Sequence, residues 1–584
     1  MNINNHNKVK LQLAGIIQEV FLTAEIEEPL QDIYNSIGFP PDAALGHYTY
    51  PCFNLSKKLR NAPNKISEQL AKGFTAGEVI DSVQSVGPYI NFKIKSSFLG
   101  RVTCDEIENG QMFERHLIDA PPKTMIEYSQ PNTHKELHVG HMRNLCLGDA
   151  LIKLHRYCGY DIISATFPGD VGTHVAKCLW YFRYHNTEKV PVENKGTWLG
   201  SLYTKGHLQL EQDEGTPREA ENKKQLSEIL TQLEAQKGEF YDLWKSTKEW
   251  SVELMNQVYE WAGVHFDRWY WESDVDVSST ELARKYFEKG VFIESQGTIG
   301  VDLSEYNLGF CMLLKSDGHG LYATKDIELA RRKFDDFHIE KSVYIVDKRQ
   351  AHHFAQVFKV LEIMGYENAK KCYHLQYDYV ELPDGAMSSR KGNIVPIMKL
   401  IDNMHEVVKK DYLNKYIGEW DQSEIDSTAD IISKGAIKYG MIRIDPSRKI
   451  VFDMKEWLKI DGDSGPYLQY TYARINSLVK KLADEIKAGH DWSVLAEETE
   501  LQLMVKLSEF NNQVVQACNE YKPNVLCNYL YELCKIFNNF YNVLNIRRTE
   551  DEVLKSTRVE LTKCVAITLK KGLSLLGIPV PERM

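Results

Sequence analysis

Two histidines around a glycine are the residues of this 584-residue sequence best suited to chemistry. The segment Glu127-Tyr128-Ser129-Gln130-Pro131-Asn132-Thr133-His134-Lys135-Glu136-Leu137-His138-Val139-Gly140-His141 puts H-x-G-H between a strand pattern and the start of a helix pattern. A helix start offers free N–H groups and the positive end of the helix dipole, so phosphates settle there. Gly140 lets a nucleotide approach the backbone closely, and two imidazoles can donate hydrogen bonds to charge developing on a phosphate. Alone, the motif describes two ordinary loop histidines about as well. A second motif, Met387-Ser388-Ser389-Arg390-Lys391-Gly392-Asn393, lies far downstream, beside Pro383-Asp384-Gly385. Small residues ending in two cations and a glycine suit a loop that closes over a triphosphate; alone they read more often as a solvated loop. Together, in this order, the two motifs point to nucleotide chemistry.

The flanking patterns say what must position these residues. A strand is expected at 124–128, then a loop, then a helix carrying Leu145, Leu147, Leu151 and Leu154, then a second strand at 161–167. This β-loop-α-β order opens a doubly wound, Rossmann-type α/β domain, assigned to residues 113–415. Within it, 178–295 is charged and helical, with Leu226, Ile229, Leu230 and Leu233 on one face, and reads as an insertion. Strand and helix patterns resume at Thr298–Leu303, Cys311–Lys315, Ser342–Val346 and Ala351–Met364. Residues 1–112 read as a small α+β domain: an amphipathic helix near the start and, after Gly87-Pro88, alternating strand residues. Asp119-Ala120-Pro121-Pro122 is a plausible linker. From 416 to 584 the pattern is an all-α bundle, with Leu503, Leu507, Phe510 and Val514 on one stripe.

Composition limits the options without naming a function. The length implies about three domains. No run of about 18 uncharged apolar residues is present, so no membrane span is expected. Eleven cysteines are scattered singly, without a C-x-x-C pair, which implies a reducing, cytoplasmic setting and no structural zinc. His138, His141, Cys146 and Cys158 fall close together in sequence but lack a paired zinc knuckle. Seventy basic against eighty-one acidic residues give a formal charge of −11, so an RNA ligand would need locally clustered cations.

The two motifs resemble the H-I-G-H and K-M-S-K-S signatures of class I aminoacyl-tRNA synthetases. The surrounding wording resembles arginyl-tRNA synthetases in particular: Glu127–Asn144, Gly169-Asp170-Val171-Gly172-Thr173, Ser316-Asp317-Gly318, Tyr322-Ala323-Thr324-Lys325-Asp326, Gln350-Ala351-His352-His353-Phe354, Met387–Asn393, Gly465-Pro466-Tyr467-Leu468-Gln469-Tyr470 and the terminus Leu576–Met584. The resemblance covers nearly the whole chain and is weakest in the insertion.

That resemblance implies ATP-dependent activation of arginine to arginyl-adenylate and transfer to the terminal ribose of tRNA(Arg), with Mg²⁺ accompanying the nucleotide. Members of the family typically need bound tRNA before the adenylate forms. It implies arginine contacts from Glu127, Asn132, Tyr322, Asp326 and Gln350; a guanidinium has five donors and no acceptor, so forked carboxylates suit it. ATP contacts fall on His138, Gly140, His141, Met387, Ser388, Arg390 and Lys391. Ala386 and Ser389 stand where the general signature has lysines, and Lys135 matches the compensating lysine of such enzymes. The 416–584 bundle resembles the anticodon-binding domain named for its D-A-L-R signature, with Tyr470, Arg474, Tyr541 and Met584 as anticodon contacts; Tyr89 and Asn91 resemble a contact to the tRNA D-loop. No editing domain is expected, since a site of buried carboxylates discriminates strongly by itself. A monomer is expected. Three other readings fit H-x-G-H: a small-molecule nucleotidyltransferase, which needs no long helical C-terminal domain; a catalytically inert RNA-binding relative, which needs neither intact motif; and a class I synthetase of another specificity, which would be indifferent to Glu127→Ala or Asp326→Ala.

Overall fold

The apolar periodicities resolve into three bodies in a computed structural model, which describes residues 7–114, 117–382, 395–486 and 488–584 and the backbone of 385–386. The loop Met387–Asn393, with Met387, Ser388, Arg390 and Lys391, lies outside the described residues. In the N-terminal body, helix α1 (Lys8–Thr23) buries Val9, Leu13, Ile17 and Phe21, one residue per turn. It covers an antiparallel sheet ordered β1 (Tyr48–Pro51), β3 (Tyr89–Ile94), β2 (Ile80–Val86). The β2–β3 hairpin turns at Gly87, whose φ of 58° suits a residue without a side chain.

The central body is a parallel sheet of β4 (Thr124–Glu127), β5 (Ile162–Thr166), β6 (Arg268–Trp269), β7 (Lys341–Asp347) and β8 (Cys372–Tyr377). Their order across the sheet is β8-β7-β4-β5-β6. The chain builds outward from β4 to β5 and β6, then returns to the other side of β4 for β7 and β8. The strand order therefore reverses between β4 and β7, and in such sheets ligands bind beyond the carboxyl ends of the strands at that point. Helix α2 (Val139–Tyr157) starts there. The strand patterns at Thr298 and Cys311 lie outside this sheet. They form strands 298–302 and 310–314 of a separate antiparallel sheet with 293–295, because short connections permit hairpins, whereas parallel neighbours need a crossover.

Four helices form most of the expected insertion: α3 (Thr173–Tyr184), α4 (Lys195–Gln212), α5 (Arg218–Glu234) and α6 (Glu239–Ala262). Its last part does not stand apart. Strand β6 pairs with β5 in the central sheet, and α7 (Glu272–Glu288) packs on α8 (Tyr322–Phe337). Helix α9 (Ala351–Ile363) covers β8.

The third body is all-α, built around α10 (Gln422–Ile442), α11 (Gly465–Leu482), α12 (Phe510–Asn519), α13 (Pro523–Val543) and α14 (Glu552–Leu575). Helix α10 packs on both α11 and α2, joining the bundle to the nucleotide-binding body. The N-terminal body also rests on the bundle: the Trp492 indole donates to Asp105 at 2.6 Å, and Asn7 donates to the Ser508 hydroxyl at 3.2 Å.

Candidate active site

The site begins at the first turn of α2. His138 is its N-cap, and its Nδ1 accepts the Gly140 N–H at 3.1 Å. His141 Nδ1 accepts the His138 N–H at 3.1 Å, so each imidazole satisfies one of the helix's unpaired donors. Those acceptor roles place the ring proton on Nε2 in both residues. The rings lie 4.0 Å apart. Burial, with Lys135 and Arg349 nearby, lowers the His138 pKa to about 4. Burial, His138 and Lys135 push His141 well below its ordinary value. At neutral pH the pair is therefore two neutral imidazoles, each with one N–H to donate. Lys135 sits over the Tyr203 ring at 4.9 Å, with its charge felt by both histidines. The Val139 N–H donates to the Val395 carbonyl, and the Ile397 N–H to the Leu137 carbonyl. The chain at 395–397 thus runs directly against the first motif.

The loop between β4 and α2 is shaped by the insertion. Ser129 and His134 have positive φ, 56° and 61°. Ser129 Oγ is 3.0 Å from the Tyr259 hydroxyl of α6, and the His134 N–H donates to Ser251 Oγ at 2.9 Å. His134 is fully buried between Thr133 and Thr247 hydroxyls. Burial, then the Lys248 charge, lowers its pKa to about 3. Helix α6 therefore supports this loop from below.

Across the crevice lies an acidic wall. Glu272 opens α7 and is 5 % exposed. Its nearest cation, Lys325, is 3.9 Å away and closer to Asp276, at 3.1 Å. Burial raises the Glu272 pKa to about 7; Lys325 opposes the shift, while Asp170, Asp326 and Asp276 add to it. Tyr322, the first residue of α8, and Asp326, one turn on, face the same region, and burial followed by the Glu272 charge raises the Tyr322 pKa. A side chain at Gly169 would meet Asn132 Oδ1 at 2.4 Å and Glu272 Oε2 at 3.3 Å, so these two groups converge over that glycine. His174 donates toward the Gly169 carbonyl and is influenced by both Lys135 and Lys325, linking the histidine turn to the acidic wall.

The expected arginine contacts divide. Asn132, Tyr322 and Asp326 come together with Glu272, and Gln350 caps α9 at the exposed end of β7. Glu127 departs from the expectation of an open acceptor. One oxygen is paired with Lys333 and the other accepts from Gln130 at 3.1 Å, with the carboxylate 4 % exposed. Lys333 is fully buried and rests 3.9 Å from the Tyr344 ring centroid. The reason is topological: Glu127 lies on β4 opposite Tyr344, under α8, where an unpaired charge would be costly. Two groups at the crevice were not singled out from sequence: Glu272, hidden in what reads as an insertion, and Arg349, whose fork holds Asp347 at 2.7–2.9 Å. Glu272 had one signal, as the acid that ends the aromatic run Trp269-Tyr270-Trp271.

In the bundle, Arg474 lies 4.4 Å over the Tyr541 ring and reaches Asn538 at 3.4 Å; Tyr470, 36 % exposed, sits one turn before it. Met584 packs partly buried against the core. Of the D-loop pair, Tyr89 is exposed, but Asn91 is 2 % exposed on the middle strand of its sheet and is not presented to a ligand. Among the described residues, the one metal-compatible group of His and carboxylates is Asp105, Glu108 and His490, at the junction of the N-terminal body and the bundle.

A doubly wound sheet with H-x-G-H at its switch point and a helical bundle after it defines a class I aminoacyl-tRNA synthetase. Residues 110–454 match the family model described as tRNA synthetases class I (R), catalytic domain; 468–584 match the DALR anticodon binding domain and 7–94 the arginyl tRNA synthetase N terminal domain. The chain is 51 % identical to the arginine–tRNA ligase of Bdellovibrio bacteriovorus, over 99 % of this chain and 100 % of that one. It is 35 % identical to the arginine–tRNA ligase of Clostridium botulinum, over 98 % and 100 %. The Thermus thermophilus arginyl-tRNA synthetase structure superimposes with a TM-score of 0.79 at 26 % identity, covering 98 % of this chain and 100 % of that one. The chain belongs to the arginyl-tRNA synthetase family.

Proposed function

We propose that the crevice between β4 and β7 joins L-arginine to ATP as arginyl-adenylate and passes the arginyl group to the terminal ribose of tRNA(Arg), releasing pyrophosphate and AMP. The observation that carries the arginine assignment is Glu272: a buried carboxylate whose nearest cation is held elsewhere, beside Asp326 and Tyr322. A guanidinium brings five donors and a charge to such acceptors, which satisfies them and re-ionises Glu272.

Asn132 and Gln350 are assigned to the α-amino and carboxylate end, and Glu127 to fixing the loop through Gln130. The arginine carboxylate attacks the α-phosphorus as the bond to pyrophosphate breaks. The Nε2–H groups of His138 and His141 donate to the oxygens where charge accumulates, and Lys135 adds a cation; such fixed donors stabilise the transition state without reorganising. The second motif, through Met387, Ser388, Arg390 and Lys391, is assigned to the triphosphate. Mg²⁺ enters with the nucleotide, held chiefly by phosphate oxygens, as is usual for this ion. In the second step a ribose hydroxyl of the tRNA end, the 2′ position in class I enzymes, attacks the adenylate carbonyl. Tyr470, Arg474, Tyr541 and Met584 are assigned to the anticodon, where an arginine over a tyrosine offers a surface on which an unstacked base can stack. The chain is assigned to the cytosol as a monomer; among the described residues no helix is long and apolar enough to cross a membrane.

The test is ATP–pyrophosphate exchange with each amino acid, with and without tRNA(Arg). Arginine, and no other amino acid, should support exchange, and only with tRNA(Arg) present. Glu272→Gln should raise the arginine KM about 30-fold or more, the cost of truncating a buried charge pair, with a smaller change in kcat. Exchange with another amino acid, or an unchanged arginine KM in Glu272→Gln, would sink the assignment.

A further inference from the structure

Resting on the assignment of Asp326 to the guanidinium, we propose that His353 is a positioning residue that fixes the Asp326 carboxylate and gives up a proton when arginine binds. His353 is the third residue of α9, and its Nε2 lies 2.5 Å from Asp326 Oδ2. Asp326 has no second hydrogen bond among the described residues and its side chain is 18 % exposed, which leaves Oδ1 able to accept from a ligand. The ring stands edge-on to Phe354 at 5.4 Å, and Phe354 packs on His374 at 4.6 Å, which supports it from one side. A carboxylate held by one oxygen is set in plane for a forked cation at the other, and locked supporting contacts are what make such a site precise.

The proton follows from the charges around the ring. From α8 it faces Asp326, with Lys325 beside that residue; from α7, Glu272 lies beyond Asp326. From β8 it faces His374, which is itself influenced by Asp347 at the end of β7. Burial lowers the His353 pKa, but the Asp326 hydrogen bond and charge outweigh it, and the net shift is upward from 6.5. The contact and the direction of the shift both favour the imidazolium form of His353 paired with Asp326. A guanidinium arriving on the same carboxylate competes for that charge and repels the imidazolium. The arginine complex then holds fewer protons than the free enzyme, so affinity for arginine rises with pH, at most ten-fold per pH unit for each proton released. Glu272, raised to about 7 by burial, also gives up a proton when a cation binds, so the informative quantity is the difference between the wild type and a His353 variant.

Arginine is titrated into the full-length enzyme by calorimetry at pH 6.5–8, in buffers of different ionisation enthalpy, and its KM is measured by exchange with saturating tRNA. His353→Gln keeps a donor but cannot titrate. It should release fewer protons per arginine than the wild type, flatten the pH dependence of KM and keep KM at pH 8 within a few-fold. His353→Ala should raise KM about ten-fold with kcat nearly preserved. Equal proton release in wild type and His353→Gln, or an unchanged KM in His353→Ala, overturns the proposal. Asp326→Asn separates the two levels: if it leaves the arginine KM unchanged, the assignment of Asp326 fails, and the role of His353 fails with it. If Asp326→Asn raises KM while both His353 variants match the wild type, only the inference about His353 falls.

Discussion

A carboxylate at the end of a central strand can serve a ligand or a neighbour, and at Glu127 the neighbour is Lys333. The ammonium is fully buried, so removing it leaves a buried charge without its counter-ion. Lys333→Met should destabilise the protein by about 3–5 kcal/mol, read as a lower urea midpoint at unchanged slope. A small effect would mean that Glu127 is free to serve arginine after all. The buried histidines give a second residue-scale expectation. His134 at about 3, and His47, His138 and His155 at about 4, are all lowered, chiefly by burial. The unfolded chain therefore binds more protons than the native one between those values and about 6.5. Their contribution to stability is complete above pH 6.5 and falls on acidification, by up to about 1.4 kcal/mol per pH unit for each residue. His134→Gln should shallow that fall in a urea series from pH 7 to 5; an unchanged slope would mean that His134 does not stay neutral in the fold.

Elements hold these residues in place, and α2 does so most directly. A side chain at position 140 would lie 2.9–3.0 Å from the His138 ring, so Gly140→Ala must displace that imidazole while leaving the rest of the helix intact. A shift of about 1 Å in a reacting group costs on the order of 10²-fold. Exchange should drop by that factor with an unchanged circular dichroism spectrum. An active Gly140→Ala would argue that His138 does not donate to the phosphate. This helix and its loop were legible in the sequence because the signals are local: a strand pattern, a glycine between histidines and an apolar helical repeat lie within thirty residues. Asp326 was legible by resemblance, as part of Tyr322–Asp326. Glu272 was not, because its place depends on β6, a two-residue strand too short to leave a periodic trace. Only the docking of β6 beside β5 turns a charged helix start into the wall of the crevice. The Glu127–Lys333 pair was invisible for a related reason, since 206 residues separate the partners and neither position shows its burial locally. The support from α6 is equally non-local: its Thr247, Ser251 and Tyr259 read as ordinary positions of an amphipathic helix until the 129–134 loop is laid across them.

At the scale of the whole molecule, one ammonium group meets three segments. Lys438 of α10 is 1 % exposed and donates to Asp149 of α2 at 2.9 Å, to the Ala262 carbonyl ending α6 at 2.5 Å and to the Gly577 carbonyl of the C-terminal tail at 2.8 Å. Gly577 has a φ of 71°, and a side chain there would strike Asp149 Oδ2 at 2.2 Å. The tail continues past Pro579, whose carbonyl accepts from Gln469 of α11, to the Arg583–Glu424 pair on α10. The helix that begins with His138, the insertion helix under the catalytic loop and the segment that ends at Met584 therefore share one buried donor. Lys438→Met leaves Asp149 buried, with only Lys153 to neutralise it, and strands two carbonyls; it should cost about 3–5 kcal/mol. Because apolar groups can replace a buried ion pair at little net cost, Lys438→Met with Asp149→Leu should recover part of that loss. Urea unfolding of the two variants decides between a charge effect and simple packing: a double variant no more stable than Lys438→Met would show that shape, and not the pairing of charges, is what joins the bundle to the catalytic helix.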